Sequence, residues 1–185
     1  MNAKLVSFSE LQSVATAYSE LMDESGNILA TMQIDYHVIK ASDIPLLFPE
    51  YVNTDQSWQT FTNDPYSGEV NFKGDVFYEN EKLTYIHDEL KPEECVGHFK
   101  DLPAFPVSIM TRYAGMLVER AYSEQHGVSK VEVKRGICST EQFAFAGEDV
   151  KFTAYPNPDD RLGGHWFCDI TQVSKTIARL DYFIS

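Results

Sequence analysis

Apolar and polar residues alternate from Met32 to Val38, which predicts a β-strand over residues 28–40 with one face toward solvent. Every second residue from Met32 to Val38 is apolar, and polar residues stand between them. Residues 23–27 are rich in Asp, Ser, Gly and Asn, which favour a tight chain reversal, and residues 17–22 precede them as a second extended segment. Together these residues predict a strand, a turn and a strand.

Residues 107–124 carry apolar side chains around most of a helical circumference, which predicts a buried α-helix. Pro106 suits the start of this helix, where a backbone N–H has no partner. Gly127 suits its end as a C-cap. The small residues Ala114 and Gly115 allow the helix to pack closely on a sheet.

Further strands are predicted on both sides of this helix. They span residues 69–78, 82–90, 128–139, 142–144, 150–155, 166–172 and 176–184. One buried helix among antiparallel strands is typical of an α+β domain. Residues 1–16 are expected to form a short helix or an irregular arm. Residues 41–66 are expected to form a loop with one short helix, which either covers a ligand groove or pads the sheet edge.

Composition and charge narrow the function classes. The chain has 185 residues, 43% of them apolar, so it can bury a core in one domain with an N-terminal elaboration. The net charge of −13 argues against nucleic-acid binding, because phosphate contacts need a surplus of Lys and Arg. No run of about 18 apolar residues predicts a membrane span, and no signal peptide is indicated.

The cysteines and histidines predict neither disulfides nor a metal. Cys95, Cys138 and Cys168 are odd in number and favour reduced thiols in a cytoplasm. The five histidines are scattered, without the HxH or HExxH spacing of metal ligands. We therefore expect a cytoplasmic protein without a metal or cofactor.

A histidine in a turn precedes the helix directly. Gly97-His98-Phe99 is followed by Pro103 and Pro106, which stiffen the approach to the helix. The N–H groups of Val107 and Ser108 are expected at the positive end of the helix dipole, where an acyl carbonyl or another anion can be held. A loop histidine before a buried helix would also produce this pattern.

This segment resembles the active-site segment of the 3-hydroxyacyl-acyl-carrier-protein dehydratases, which reads roughly G-H-F-x-G-x-P-x-x-P-G before a helix with an acidic residue. Residues 145–152 also resemble the family's turn before a long strand. The resemblance implies a hotdog fold, in which a long central helix is wrapped by a curved antiparallel sheet. The hotdog domain would cover residues 67–185, and residues 1–66 would be an N-terminal elaboration with a hairpin and a long loop. That hairpin is either the remnant of a preceding hotdog or an unrelated hairpin.

The family's catalytic carboxylate is missing from this chain. It belongs fourteen positions after the histidine, where this chain has Arg112, and a guanidinium cannot lose its proton at physiological pH. The next acidic residue on that helix face is Glu119, about two turns further on. Val107 also replaces a family glycine, and its side chain can crowd a thioester that approaches the backbone.

The resemblance implies an enzyme that acts on thioester-linked acyl chains in fatty-acid or polyketide-type metabolism, either a 3-hydroxyacyl dehydratase or a thioesterase. Its substrate would be an acyl thioester of acyl carrier protein or coenzyme A, and its catalytic residue would be His98. The expected substrate-binding residues are Phe99, Phe105, Pro106, Val107, Ser108 and Arg112. The basic residues Lys130, Lys134 and Arg135 either dock an acidic carrier protein or form a solvated strand face.

Two other classes of function stay open. Arg112 favours a non-catalytic acyl- or partner-binding subunit that kept the fold and lost the carboxylate. A small-molecule binding protein unrelated to acyl metabolism is the third candidate, because a fold alone does not fix a function. A homodimer is expected, since hotdog sites are usually shared between two units and one copy leaves sheet edges unpaired.

Overall fold

The chain forms two compact units, Met1–Glu50 and Tyr51–Ser185. A computed structural model describes residues 2–11, 14–52, 70–96, 99 and 102–185. The first unit is an antiparallel meander of three strands, followed by a 3₁₀ turn and one short helix. Its elements are β1 (Asn2–Leu11), β2 (Val14–Met22), β3 (Ile28–His37), the 3₁₀ turn Ala41–Asp43 and α1 (Ile44–Leu47).

The turn between β2 and β3 is closed by the side chain of Asp23. Its carboxylate accepts hydrogen bonds from the backbone N–H groups of Ser25 and Asn27, at 2.9 and 2.8 Å, and Gly26 adopts the positive φ of 83° that the turn requires. The predicted strand, turn and strand are therefore present. The helix or irregular arm expected over residues 1–16 is wrong, because residues 2–11 pair with β2 as a third strand.

The second unit contains one long helix and a six-stranded antiparallel sheet with the order β4-β5-β7-β8-β9-β6. The helix α2 is Val107–His126. The strands are β4 (Val76–Glu79), β5 (Lys82–His87), β6 (Val133–Thr140), β7 (Val150–Pro156), β8 (His165–Gln172) and β9 (Lys175–Ile184). This arrangement confirms the predicted α+β hotdog fold.

The helix α2 lies against one face of this sheet. Burial alternates along β7, β8 and β9, so every second side chain points toward the helix. The helix buries six residues on the facing side, among them Tyr113 and Leu117. It begins at Val107 as predicted and ends two residues later than predicted, where Gly127 takes a φ of 66° and donates its N–H to the Ser123 carbonyl at 2.8 Å.

Several predicted strands differ from the structure in their bounds, as when residues 128–139 become Val133–Thr140 and 82–90 become Lys82–His87, and two differ most. The strand predicted over residues 69–78 is shorter, since only Val76–Glu79 pairs with β5, and residue 69 lies outside the described residues. The strand predicted over residues 142–144 is wrong. Ala144 instead accepts a hydrogen bond from the Phe105 N–H, so this segment holds the approach to α2 rather than extending the sheet.

Candidate functional site

The chain just before α2 is held in place by backbone hydrogen bonds. Phe105 donates its N–H to the Ala144 carbonyl at 2.8 Å, and Ala146 donates its N–H to the Pro103 carbonyl at 3.0 Å. Ala104 and Phe145 form an isolated antiparallel bridge between these bonds. Residues 103–105 and 144–146 therefore run side by side, and the approach to α2 has a fixed path.

Gln172 fixes this pair of segments to the sheet. Its buried side chain at the end of β8 accepts a hydrogen bond from the Phe145 N–H at 2.8 Å and donates one to the Phe145 carbonyl at 2.7 Å. An amide side chain can satisfy both backbone groups of one residue, which a carboxylate or an apolar residue cannot do. The start of α2 is thus tied to the central sheet through one side chain.

The start of α2 presents backbone N–H groups that the helix itself does not use. Ile109 and Met110 both donate their N–H groups to the Pro106 carbonyl, at 3.0 and 3.1 Å. Val107 and Ser108 precede these first helical bonds, and Pro106 provides no side-chain cap. Their N–H groups therefore have no partner within the helix and lie at its positive end.

The predicted site residues occupy different environments. His98, Gly97, Lys100 and Asp101 lie outside the described residues. Phe99 is half-buried, with its ring 5.2 Å from that of Phe143, and the Phe143 ring lies 6.0 Å from that of Phe145. Phe105 is fully buried in the core, Pro106 and Val107 are half-buried, and Ser108 and Arg112 are exposed.

A buried polar network lies next to this helix start, and the sequence analysis missed it. His87, at the end of β5, contacts the Tyr85 hydroxyl through Nδ1 at 2.9 Å and the Glu94 carboxylate through Nε2 at 3.0 Å. Glu94 also accepts hydrogen bonds from Lys73 Nζ at 2.7 Å and from the Lys91 N–H at 3.0 Å. The side chains of His87 and Glu94 are only 3% and 8% exposed.

The charge states of this network follow from its contacts. Burial raises the pKa of Glu94, but hydrogen bonds from His87, Lys73 and the Lys91 N–H outweigh burial and lower it from 4.5 to about 2. Burial raises the pKa of the Tyr85 hydroxyl well above its usual value. Tyr85 therefore stays protonated and Glu94 ionised, and because an ionised carboxylate only accepts, His87 Nε2 is the donor to Glu94.

The network connects three elements at the helix start. The His87 ring lies 5.6 Å from the rings of both Phe105 and Tyr113, which stand before and within α2. Glu94 belongs to the 3₁₀ turn Pro92–Cys95, four residues before His98 in the sequence. The alternation of inward and outward side chains along β5 could have revealed His87, because this residue continues the inward row of Leu83 and Tyr85 at every second position. No sequence signal identified Glu94 as its partner.

The described residues contain no group of three or more His, Cys, Asp or Glu side chains placed to hold a metal ion. No helix in the described part of the chain is long and apolar enough to cross a membrane. Of the predicted basic cluster, Lys134 pairs with Glu132 at 2.7 Å and the Arg135 guanidinium lies 5.7 Å from the centre of the Phe183 ring.

Comparison with known proteins gave structural similarities alone, since no family model and no curated protein matches the sequence. The TT0310 protein of Thermus thermophilus aligns with a TM-score of 0.48 and 11% identity, over 60% of this chain and 88% of that protein. The PaaI protein of the E. coli phenylacetic acid degradation operon aligns with a TM-score of 0.48 and 13% identity, over 60% of this chain and 76% of that protein. The thioesterase HI1161 of Haemophilus influenzae aligns with a TM-score of 0.46 and 12% identity, over 59% of this chain and 73% of that protein.

Proposed function

We propose that this protein hydrolyses acyl thioesters, with the thioester carbonyl bound at the start of α2 and His98 as the catalytic base. The observation that carries the proposal is the anchored helix start, where the Val107 and Ser108 N–H groups are not used by the helix. Such N–H groups donate hydrogen bonds to an oxygen on which negative charge develops during reaction. A fixed backbone holds these donors ready without reorganisation.

In this mechanism His98 takes a proton from a water molecule, and the water oxygen attacks the carbonyl carbon. The negative charge moves to the carbonyl oxygen, which Val107 and Ser108 stabilise. The electron pair on this oxygen then re-forms the C=O bond and the C–S bond breaks. The leaving thiolate takes the proton from His98. The products are a carboxylic acid and a free thiol, and no second acid is needed.

Hydrolysis is favoured over dehydration because of Arg112. A 3-hydroxyacyl dehydratase of the resembled type uses a carboxylate on this helix together with the histidine, and Arg112 occupies that position. Arg112 and Ser108 are both exposed and four residues apart, so they share one helix face. We assign the Arg112 side chain to the anionic part of the carrier, with a phosphate of coenzyme A as the ligand, while Ser108 binds the thioester carbonyl through its N–H.

Coenzyme A is the proposed carrier, rather than acyl carrier protein, because the basic cluster is partly occupied. Lys134 and Arg135 already contact Glu132 and Phe183, so this cluster offers few unpaired basic side chains to the acidic surface of a carrier protein. Phe99 and Phe143 offer aromatic surface for the acyl chain next to the helix start.

We also propose a homodimer in a reducing cytoplasm. The edge strand β6 is exposed along all eight residues, which leaves backbone groups available for a second copy. Cys95, Cys138 and Cys168 are free thiols, as a reducing compartment allows.

Thiol release from acyl-coenzyme A esters of increasing chain length tests the proposed hydrolysis. We expect turnover by the unaltered protein and at least a hundredfold loss in kcat for His98→Ala. His37→Ala is the matched control, because His37 is exposed at the end of β3, and it should keep full activity. An unaltered protein that releases no thiol from any ester would contradict the proposal.

The alternative function is a non-catalytic acyl-binding subunit, which Arg112 at the family's acid position favours. It predicts no turnover, but thermal protection by acyl ligands that grows by about 0.8 kcal/mol for each buried methylene. Dehydration of 3-hydroxyacyl-coenzyme A, followed in parallel, tests the remaining catalytic alternative.

A further inference from the structure

Gln172 is a polar residue in an otherwise apolar row of the core. Every second side chain of β8 is buried, and the members of this row before Gln172 are Trp166, Cys168 and Ile170. Gln172 itself is only 7% exposed. An amide buried at such a position must find hydrogen-bond partners within the protein, because its loss of water is otherwise not compensated. The partners of Gln172 therefore show which part of the molecule it holds.

The Gln172 amide takes the place of a neighbouring strand beside Phe145. Its Oε1 accepts a hydrogen bond from the Phe145 N–H at 2.8 Å, and its Nε2 donates one to the Phe145 carbonyl at 2.7 Å. A residue of an adjacent antiparallel strand makes the same pair of bonds with the backbone of its partner. Nε2 also lies 3.4 Å from the Glu148 carbonyl, further along the same turn. The side chain thus fixes both backbone groups of Phe145.

Phe145 passes this constraint on to the segment before α2. It forms the isolated antiparallel bridge with Ala104. One backbone hydrogen bond lies on each side of this bridge, from the Phe105 N–H to the Ala144 carbonyl and from the Ala146 N–H to residue 103. The two segments cannot slide past each other without breaking both bonds. A displacement of Phe145 therefore displaces Phe105 as well.

One residue, Pro106, separates Phe105 from the first free N–H of α2. The proline ring holds φ at −63°, and ψ is an extended 130°. The Val107 N–H belongs to the peptide group that follows this proline, so its place depends on Phe105 through one locked torsion. On the other side of the donors, the Tyr182 hydroxyl donates to the Thr111 carbonyl at 3.0 Å and holds the helix body to β9. The donors thus lie between two anchored points.

We propose that Gln172 is a positioning residue that sets the place of the Val107 and Ser108 N–H groups through Phe145. This inference rests on the proposed function, in which these two N–H groups hold the thioester carbonyl oxygen. Gln172 is buried and acts through the backbone of another residue, so it does not touch the substrate. A displacement of about 1 Å at a reacting group can lower a rate about a hundredfold, so a residue far from the chemistry can control it.

The kinetics of Gln172→Met test this role. Methionine has a similar length but leaves the Phe145 N–H and carbonyl without the amide. We expect kcat for thiol release from acyl-coenzyme A to fall at least tenfold and KM to stay within about twofold, because the donors act on charge that develops during the reaction. Gln142→Met is the matched control and should keep both constants, since Gln142 is exposed on the segment that leads to Phe145.

A second variant separates positioning from a general loss of stability. Ile170→Val removes a methylene group from the same buried row of β8, and neither side chain can hydrogen-bond to the backbone. We expect its kcat to stay within a factor of two of the unaltered protein, with circular dichroism to confirm that both variants are folded. Equal losses of kcat in Ile170→Val and Gln172→Met overturn the proposal. A loss in Gln172→Met that appears in KM alone also overturns it.

Amide hydrogen exchange, followed by NMR, measures the anchor without any turnover. We expect the Phe105 N–H to exchange at least tenfold faster in Gln172→Met, and the Leu117 N–H in the middle of α2 to change much less. Unchanged exchange at Phe105, or equal acceleration at both amides, overturns the proposal. If the unaltered protein releases no thiol while Phe105 still exchanges selectively faster in the variant, the proposed hydrolysis is wrong and the anchoring role of Gln172 is supported.

Discussion

His87 and Glu94 are joined by a buried hydrogen bond of 3.0 Å between Nε2 and Oε2, although one belongs to the sheet and the other to a 3₁₀ turn. The bond ties the turn that precedes the His98 segment to the central sheet. Because the Lys91 N–H and Lys73 Nζ also donate to Glu94, both of its carboxylate oxygens accept hydrogen bonds from groups of the protein. Glu94 is therefore a positioning residue for the proposed site, and not a group that reaches substrate.

Glu94→Gln is predicted to lower the free energy of unfolding by about 2–3 kcal/mol, because a buried charge-assisted pair loses its charged acceptor. Glu93→Gln is the matched control, since Glu93 is the half-buried neighbour in the same turn, and it should change stability by less than about 0.5 kcal/mol. Urea unfolding at neutral pH measures both values. Equal losses in the two variants would show that the network does not stabilise the fold.

The same carboxylate predicts a pH dependence. Its pKa is about 2 in the folded chain, whereas in the unfolded chain the carboxyl has its ordinary value of 4.5. Between these two pH values the unfolded chain therefore binds more protons than the folded chain. Stability is then fully present above about pH 4.5 and falls as the pH decreases toward 2, with a slope that approaches 1.4 kcal/mol per pH unit. Urea unfolding from pH 6 to pH 3 should show a shallower decline for Glu94→Gln than for the unaltered protein. Parallel declines would count against the lowered pKa.

Arg112→Ala is predicted to raise KM for acyl-coenzyme A several-fold and to leave kcat within a factor of two, because the guanidinium binds the carrier rather than the reacting atoms. The effect should shrink at high salt, as exposed ionic contacts are screened. Arg120→Ala is the control, since Arg120 lies two turns further along α2 and pairs with Glu124 at 2.8 Å. A loss in kcat alone for Arg112→Ala would place this residue in the chemistry instead.

Gly115→Ala is predicted to stabilise the protein by about 0.5–1 kcal/mol, because alanine is the better helix former and the added carbon meets the Tyr182 hydroxyl at an ordinary 3.6 Å. Gly164→Ala should instead destabilise it, since its added carbon would lie 2.7 Å from the backbone oxygen of Ile184. Thermal unfolding of the two variants should show melting temperatures that move in opposite directions.

Local signals in the sequence determined the central helix and most of the sheet. The start of α2 at Val107 and its C-cap at Gly127 depend on proline, glycine and the apolar pattern within a few residues. They could therefore be predicted without knowledge of the fold. The alternation in β3, β7, β8 and β9 has the same local origin. The Gly97-His98-Phe99 motif pointed to the helix start in the same way, and the roles of its residues remain predictions.

Only the tertiary structure decided which residues meet. β1 is a strand because β2 offers a partner along its whole length, and residues 142–144 leave the sheet because Ala144 accepts the Phe105 N–H. His87 could be placed on an inward row, but its partner Glu94 could not, since their contact depends on how a 3₁₀ turn packs beneath β5. Pairings of this kind are set by the packing of distant segments, and a local hydrophobic pattern carries no information about them.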